Sequence, residues 1–171
     1  SLPVVMTIKE VHSIINRCST LRMKTFFWTT YSLGLRLEEA LNLQVGDIDS
    51  QRMMVHVHRG KGAKDRYVQL STATLHLLRQ YWVTHRNKTF LFPSGGRKHE
   101  KMQTASTVMS RSTVQNAIEK IVQSIGFHKQ VSTHTLRHSC ATHLLEARMP
   151  IRAIQQFLGH SSLQTLSLIH I

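Results

Sequence analysis

The hydrophobic period of this chain changes from about 3.6 to 2 at one place and soon changes back. Met54-Val55-His56-Val57-His58 alternates as a strand does. Arg59-Gly60-Lys61-Gly62-Ala63-Lys64 reads as a glycine-rich turn, and Arg66-Tyr67-Val68-Gln69-Leu70 as the returning strand. On both sides the pattern is helical. That single interruption limits the fold class to mainly α with a small antiparallel β-sheet (α+β).

The helices carry their own boundary signals. Thr7 to Arg17 opens with a threonine and Glu10 three residues on, a capping-box pattern, and repeats Ile8, Val11, Ile14 and Ile15 at helical spacing. A second helix is predicted from Leu21 to Ser32, broken by Gly34, and a short one through Glu38 to Leu43; Asp47 and Asp49 flank a turn. After the hairpin come a helix from Thr72 to His85, a short strand from Thr89 to Phe92 and a polar loop from Ser94 to Ser110. Three more helices are predicted: Ser112 to Ser124, His134 to Ala147, and Pro150 to Leu158, the last stopped by Gly159.

Charge narrows the partner. Twenty-two Lys and Arg against nine Asp and Glu give +13, an excess that favours polyanions, because neutralised phosphates release condensed counterions. The 171 residues suit one domain, or one and a small part of another, and 41% hydrophobic residues suffice for a core. No apolar run has the ~18 residues of a membrane span, and the N-terminus lacks a signal-peptide layout. Two cysteines, Cys18 and Cys140, do not make a disulfide framework, so the expected compartment is cytoplasmic and nucleoid-associated.

Four short motifs remain. They are Gly34-Leu35-Arg36-Leu37-Glu38-Glu39-Ala40-Leu41, the basic turn around Lys61, His134-Thr135-Leu136-Arg137-His138, and Leu158-Gly159-His160. Singly each has a plain reading. Arg36 can be a surface charge paired one turn away, the basic turn a solvated loop, and Leu-Gly-His a helix stop. His134, His138 and His143 do not make a zinc set, because no HExxH, CxxC or suitably placed carboxylate accompanies them. No metal and no cofactor is expected.

Together, in this order, the motifs resemble the tyrosine recombinases, or phage-integrase family, over nearly the whole chain from Leu2 to Thr165. The resemblance implies a catalytic domain of helices with a three-stranded antiparallel sheet, acting on double-stranded DNA as a homotetramer in the full-length enzyme. It implies site-specific recombination by strand cleavage and rejoining through a 3′-phosphotyrosyl intermediate. Carried over by position, Arg36 and Arg137 grip the scissile phosphate. His134 is the histidine of the His-x-x-Arg pair, Lys61 the hairpin lysine, His160 the last histidine, and Glu39 the support of the first arginine. Arg59, Lys64 and Arg66 are expected to meet DNA. Type IB topoisomerases use similar residues, and a non-catalytic DNA-binding relic is the other alternative.

The chain departs from the family pattern at one position. The family places its nucleophilic tyrosine nine residues after the last histidine, and Ile169 stands there. The tyrosines are Tyr31, Tyr67 and Tyr81, none of which matches by position. Residues 1–165 are therefore expected to be the catalytic domain without its N-terminal core-binding domain, and inactive as given. The six residues Leu166-Ser167-Leu168-Ile169-His170-Ile171 match the translation of a widely used transposon-based sequencing adapter, and are expected to be a non-native tail.

Overall fold

A computed structural model describes residues 4–59, 64–95 and 101–159. The helices are α1 (Ile8–Asn16), α2 (Leu21–Leu33), α3 (Leu37–Leu41), α4 (Thr72–His85), α5 (Arg111–Ile125), α6 (Thr133–Glu146) and α7 (Ile151–Leu158). The strands are β1 (Ile48–Asp49), β2 (Met54–Val57) and β3 (Arg66–Gln69). They form one antiparallel sheet in the order β1-β2-β3, with Ile48 opposite Val55 and Val57 opposite Arg66.

The third strand is not where the sequence pattern puts it. The segment predicted as a strand at Thr89–Phe92 makes only an isolated bridge, Phe90 to Gln44. Its backbone bonds to Leu43 and Val45 on one side and to Met109 on the other do not extend into a ladder. The two residues after the 3-10 turn Val45–Asp47 join the sheet instead, too few to show a period of 2. Within the predicted loop at 94–110, the described part holds a second 3-10 turn, Met102–Thr104.

Capping chemistry sets the helix ends. Thr7 and Glu10 form the capping box of α1, and Thr20, Ser71 and Ser110 cap α2, α4 and α5 through their hydroxyls. Gly34, Gly126 and Gly159 end α2, α5 and α7 in the left-handed conformation. Gly34 is constrained twice: its φ is +63°, and an added Cβ would lie 2.5 Å from Leu158 Cδ2. Helix α2 therefore stops where α7 passes closely over its end.

Helix α2 is the centre of the molecule and packs against α6 and α4. Phe26, Phe27 and Phe92 are fully buried, with Phe26 edge-on to Phe92 at 5.0 Å. Val55, Val57 and Val68 face this core from the sheet. Arg66 lies on the same buried face as Val68 and points at α7, a charge among apolar side chains.

Candidate active site

The arginines converge on the C-terminal end of α7. A helix end leaves carbonyls without intrahelical donors, and here guanidinium groups supply the donors. Arg137, on buried α6, donates Nη1 to the Gly34 carbonyl in a short contact and Nη2 to the Leu158 carbonyl at 2.6 Å. Arg36 is the N-cap of α3 and reaches the carbonyls of Leu158 and Gly159, both at 3.4 Å. Arg59 donates Nη1 to Gly159 at 2.7 Å, and Arg66 donates Nε to Phe157 at 2.8 Å.

One carboxylate holds the cluster together. Glu39 accepts Arg66 through both oxygens, at 2.6 and 3.0 Å, as a bidentate fork. It also accepts the Arg36 backbone N–H at 2.8 Å and Arg36 Nη1 at 3.3 Å. The Glu39 and Arg66 side chains are 4% and 7% exposed, so this is a buried pair. Burial alone would raise the Glu39 carboxyl; the Arg66 and Arg36 contacts outweigh it and hold it below the ordinary carboxylate value.

Arg137 has no carboxylate of its own. Burial, then the positive charge of Arg36 and Arg66, pushes it down to about 9. It stays protonated at neutral pH, with two carbonyls as its hydrogen-bond acceptors and Glu39 as a more distant opposing charge. Arg36 is lowered by burial too, with Glu39 opposing and Arg59 and Arg66 reinforcing the shift. Two guanidinium groups in this condition suit an incoming anion.

His134 is exposed near the start of α6 and lines the same cleft as Arg36, Arg59 and Arg111, a space of about 710 Å³. Partial shielding from water, then Arg137 and Arg36, lower its pKa, so the ring is neutral at neutral pH. His138 stands one turn on, edge-to-face with His134 at 4.2 Å between centroids. Burial, then His134 and Arg137, push His138 down to about 4, and its Nδ1 has no hydrogen-bond partner among the described residues.

The structure thus brings together Arg36, Glu39, Arg59, Arg66, His134 and Arg137. Arg66 differs from its expected role. Its guanidinium is buried and engaged by Glu39 and Phe157, so it supports the cluster and is not open to DNA. Lys64 is exposed before β3. Lys61, His160, Ile169 and the six-residue tail lie outside the described residues. Among the described residues no tyrosine lines the cleft. Burial pushes Tyr31 and Tyr81 up to about 12, and Tyr67 stacks on His56 on the far strand pair.

Sequence reasoning missed three features. Arg111, which lines the cleft and pairs with Glu38 at 3.2 Å, follows Ser110 without any motif. His138 was read as part of a box and set aside as a zinc ligand, not as a half-buried ring against His134. A side-chain group of Asp47, His56 and His58 also went unweighed, although the i, i+2 spacing of the two histidines on a strand was visible.

The chain matches the phage integrase family over residues 4–168. It is 42% identical to a putative integrase/recombinase y4qK of Sinorhizobium fredii, covering 96% of this chain and 51% of that protein. It is 36% identical to the tyrosine recombinase XerA of Pyrococcus horikoshii, covering 96% of this chain and 55% of the relative. The chain therefore spans little more than half the length of these relatives. Among solved structures, a XerA recombinase superposes with a TM-score of 0.81 at 29% identity, covering 99% of this chain and 59% of that one. A XerH recombinase bound to palindromic difH shares the fold, with a TM-score of 0.82 at 24% identity, covering 99% of this chain and 50% of that one. No helix among the described residues is long and apolar enough to cross a membrane. With the arginine pair, the supporting glutamate and the His-x-x-Arg helix assembled at one cleft, and relatives of this identity along nearly its whole length, the chain belongs to the phage integrase family, the tyrosine recombinases.

Proposed function

We propose that this chain is the phosphate-activating part of a site-specific DNA recombinase, which cuts and rejoins duplex DNA through a 3′-phosphotyrosyl link. The observation that carries the reading is the geometry of Arg36 and Arg137, whose guanidinium groups meet at the α7 carbonyls of Leu158. A phosphodiester repels nucleophiles because its non-bridging oxygens share a negative charge, and attack concentrates more charge on them. Two planar forks from different helices can neutralise that charge as it develops. The carbonyls they now hold are dipolar stand-ins for phosphate oxygens.

The remaining roles follow from the chemistry. A tyrosine oxygen attacks phosphorus, the bond to the deoxyribose 5′-oxygen breaks, and that oxygen takes a proton. Neutral His134 can accept the phenol proton or hydrogen-bond the phosphate. Lys61 is assigned the proton for the leaving oxygen, and His160 a hydrogen bond to the phosphate. The energy of the phosphodiester stays in the covalent link, so no nucleotide cofactor is consumed. In the full enzyme the working unit is a homotetramer on DNA, and the setting the bacterial or phage nucleoid.

With Ile169 where the family has its tyrosine, the chain as given is proposed to be inactive. The test is a nicked suicide substrate followed by denaturing electrophoresis. The present chain should give no covalent protein–DNA band. A chain continued past Thr165 with tyrosine at the ninth position after His160, and joined to a core-binding domain, should give one on its cognate site. A band from the present chain means another nucleophile. None from the completed enzyme favours a DNA-binding relic.

A further inference from the structure

A second group of polar side chains lies on the sheet at the edge of the arginine cleft, which His58 also lines. His56, on β2, and His58, just after it, flank Val57 and so share one side of the chain. Asp47 ends the 3-10 turn before β1, and Asp65 precedes β3. One donor atom from each of Asp47, His56 and His58 falls within 4.8 Å of the other two. We propose that Asp47, His56 and His58 bind a divalent transition-metal ion of the zinc type, with Asp65 holding the other ring nitrogen of His58.

Donor chemistry and spacing both fit. Two imidazoles and a carboxylate are ligands that zinc and its neighbours take, and bonds of about 2.0–2.1 Å set tetrahedral donors roughly 3.3 Å apart. His58 Nε2 is 2.8 Å from Asp47 Oδ1, and His58 Nδ1 and His56 Nε2 are each 3.1 Å from Asp65 Oδ2. Asp47 Oδ1 and His58 Nε2 already sit near the separation an ion would impose, and one donor atom of each of the three residues lies within 4.8 Å of the others.

The surroundings are those of a supported site. Asp47 is nearly buried, and its second oxygen accepts the Gln44 N–H at 2.9 Å, which fixes the carboxylate. The second oxygen of Asp65 accepts the Arg59 N–H at 3.2 Å. Tyr67, directly across from His56 in the sheet, stacks on its ring with centroids 4.7 Å apart. Metal-binding histidines donate their other ring N–H to a carboxylate, a backbone carbonyl or water, and Asp65 holds that place at His58 Nδ1. Asp47 and His56 also border an open cavity of about 430 Å³, which gives an ion a path. In a chain of net charge +13, two carboxylates at one spot make a local exception that can accept a cation.

The competing arrangement is a protonated His58 shared between Asp47 and Asp65 with no metal at all. Titrating Zn²⁺ into the 171-residue chain at neutral pH, with histidine ring ¹H–¹⁵N spectra as readout, separates the two. The proposal expects saturation at one equivalent, with the His56 and His58 rings shifting first. His56→Ala and His58→Ala should each weaken uptake by more than about tenfold. The exposed His76→Ala should leave it unchanged. The fold is checked separately by the urea midpoint of each variant without metal, and His56→Gln replaces any variant that loses it. Unsaturable uptake, first shifts at other histidines, or unchanged affinity in both variants would overturn the site. None of these outcomes bears on the recombinase reading.

Discussion

Arg137 carries the most consequence of any single side chain. It is held by the carbonyls of Gly34 and Leu158, and its pKa is lowered first by burial and then by the cations around it. Replacing Arg36 or Arg137 by alanine should abolish cleavage in the completed enzyme while the far-ultraviolet circular dichroism stays native. Lysine should rescue neither, because one ammonium cannot make a two-pronged contact. Glu39 predicts a different failure. Glu39→Gln leaves Arg66 as an uncompensated buried cation and should cost about 3–5 kcal/mol in urea unfolding. The sign of its pH dependence follows from its lowered pKa. The Glu39 contribution is full above the ordinary carboxylate value and is lost as pH falls through the folded-state value. The slope of stability against pH in the acid range should therefore shrink in Glu39→Gln.

Junctions between elements decide where these side chains meet. Gly34 ends α2 with φ of +63° and leaves no room for a Cβ beneath Leu158. Gly34→Ala should destabilise the fold by more than ~1 kcal/mol, combining left-handed strain with a clash. It should also weaken the arginine site, because Arg137 holds the Gly34 carbonyl and α7 packs against that turn. Ser71→Ala, at the cap of α4, a helix that contributes no residue to the arginine site, should cost only about 1 kcal/mol. Comparing the two in urea melts and in DNA cleavage separates loss of stability from loss of geometry. The short β1 strand shows the limit of pattern reading. Two residues cannot display a period, whereas Thr89–Phe92 has strand-like residues but only one bridging partner.

Across the whole molecule, charge and covalent chemistry make separable predictions. With +13 overall, duplex DNA binding should be weak, largely indifferent to sequence, and should fall steeply with salt. A fluorescence-anisotropy titration from low to physiological ionic strength measures that slope, and a flat response contradicts the electrostatic account. Local properties of the chain were legible in the amino-acid order. The capping box of the first helix, the glycine stops, the single hairpin and the family boxes around Arg36 and Arg137 all depend on residues a few positions apart. The contact of Arg66 with Glu39 joins residues that no local pattern relates, so an arginine expected at the surface proved to be buried support. The gathering of four arginines on the α7 carbonyls likewise required α2, α3, α6, α7 and the sheet to be packed first. So did the meeting of Asp47 and Asp65 with the two strand histidines. Sequence alone determined the helices, the hairpin and the family motifs, because propensity, capping and motif spacing are short-range. Only the tertiary structure decided which charges face water and which face one another, because burial and pairing depend on every element that closes over them.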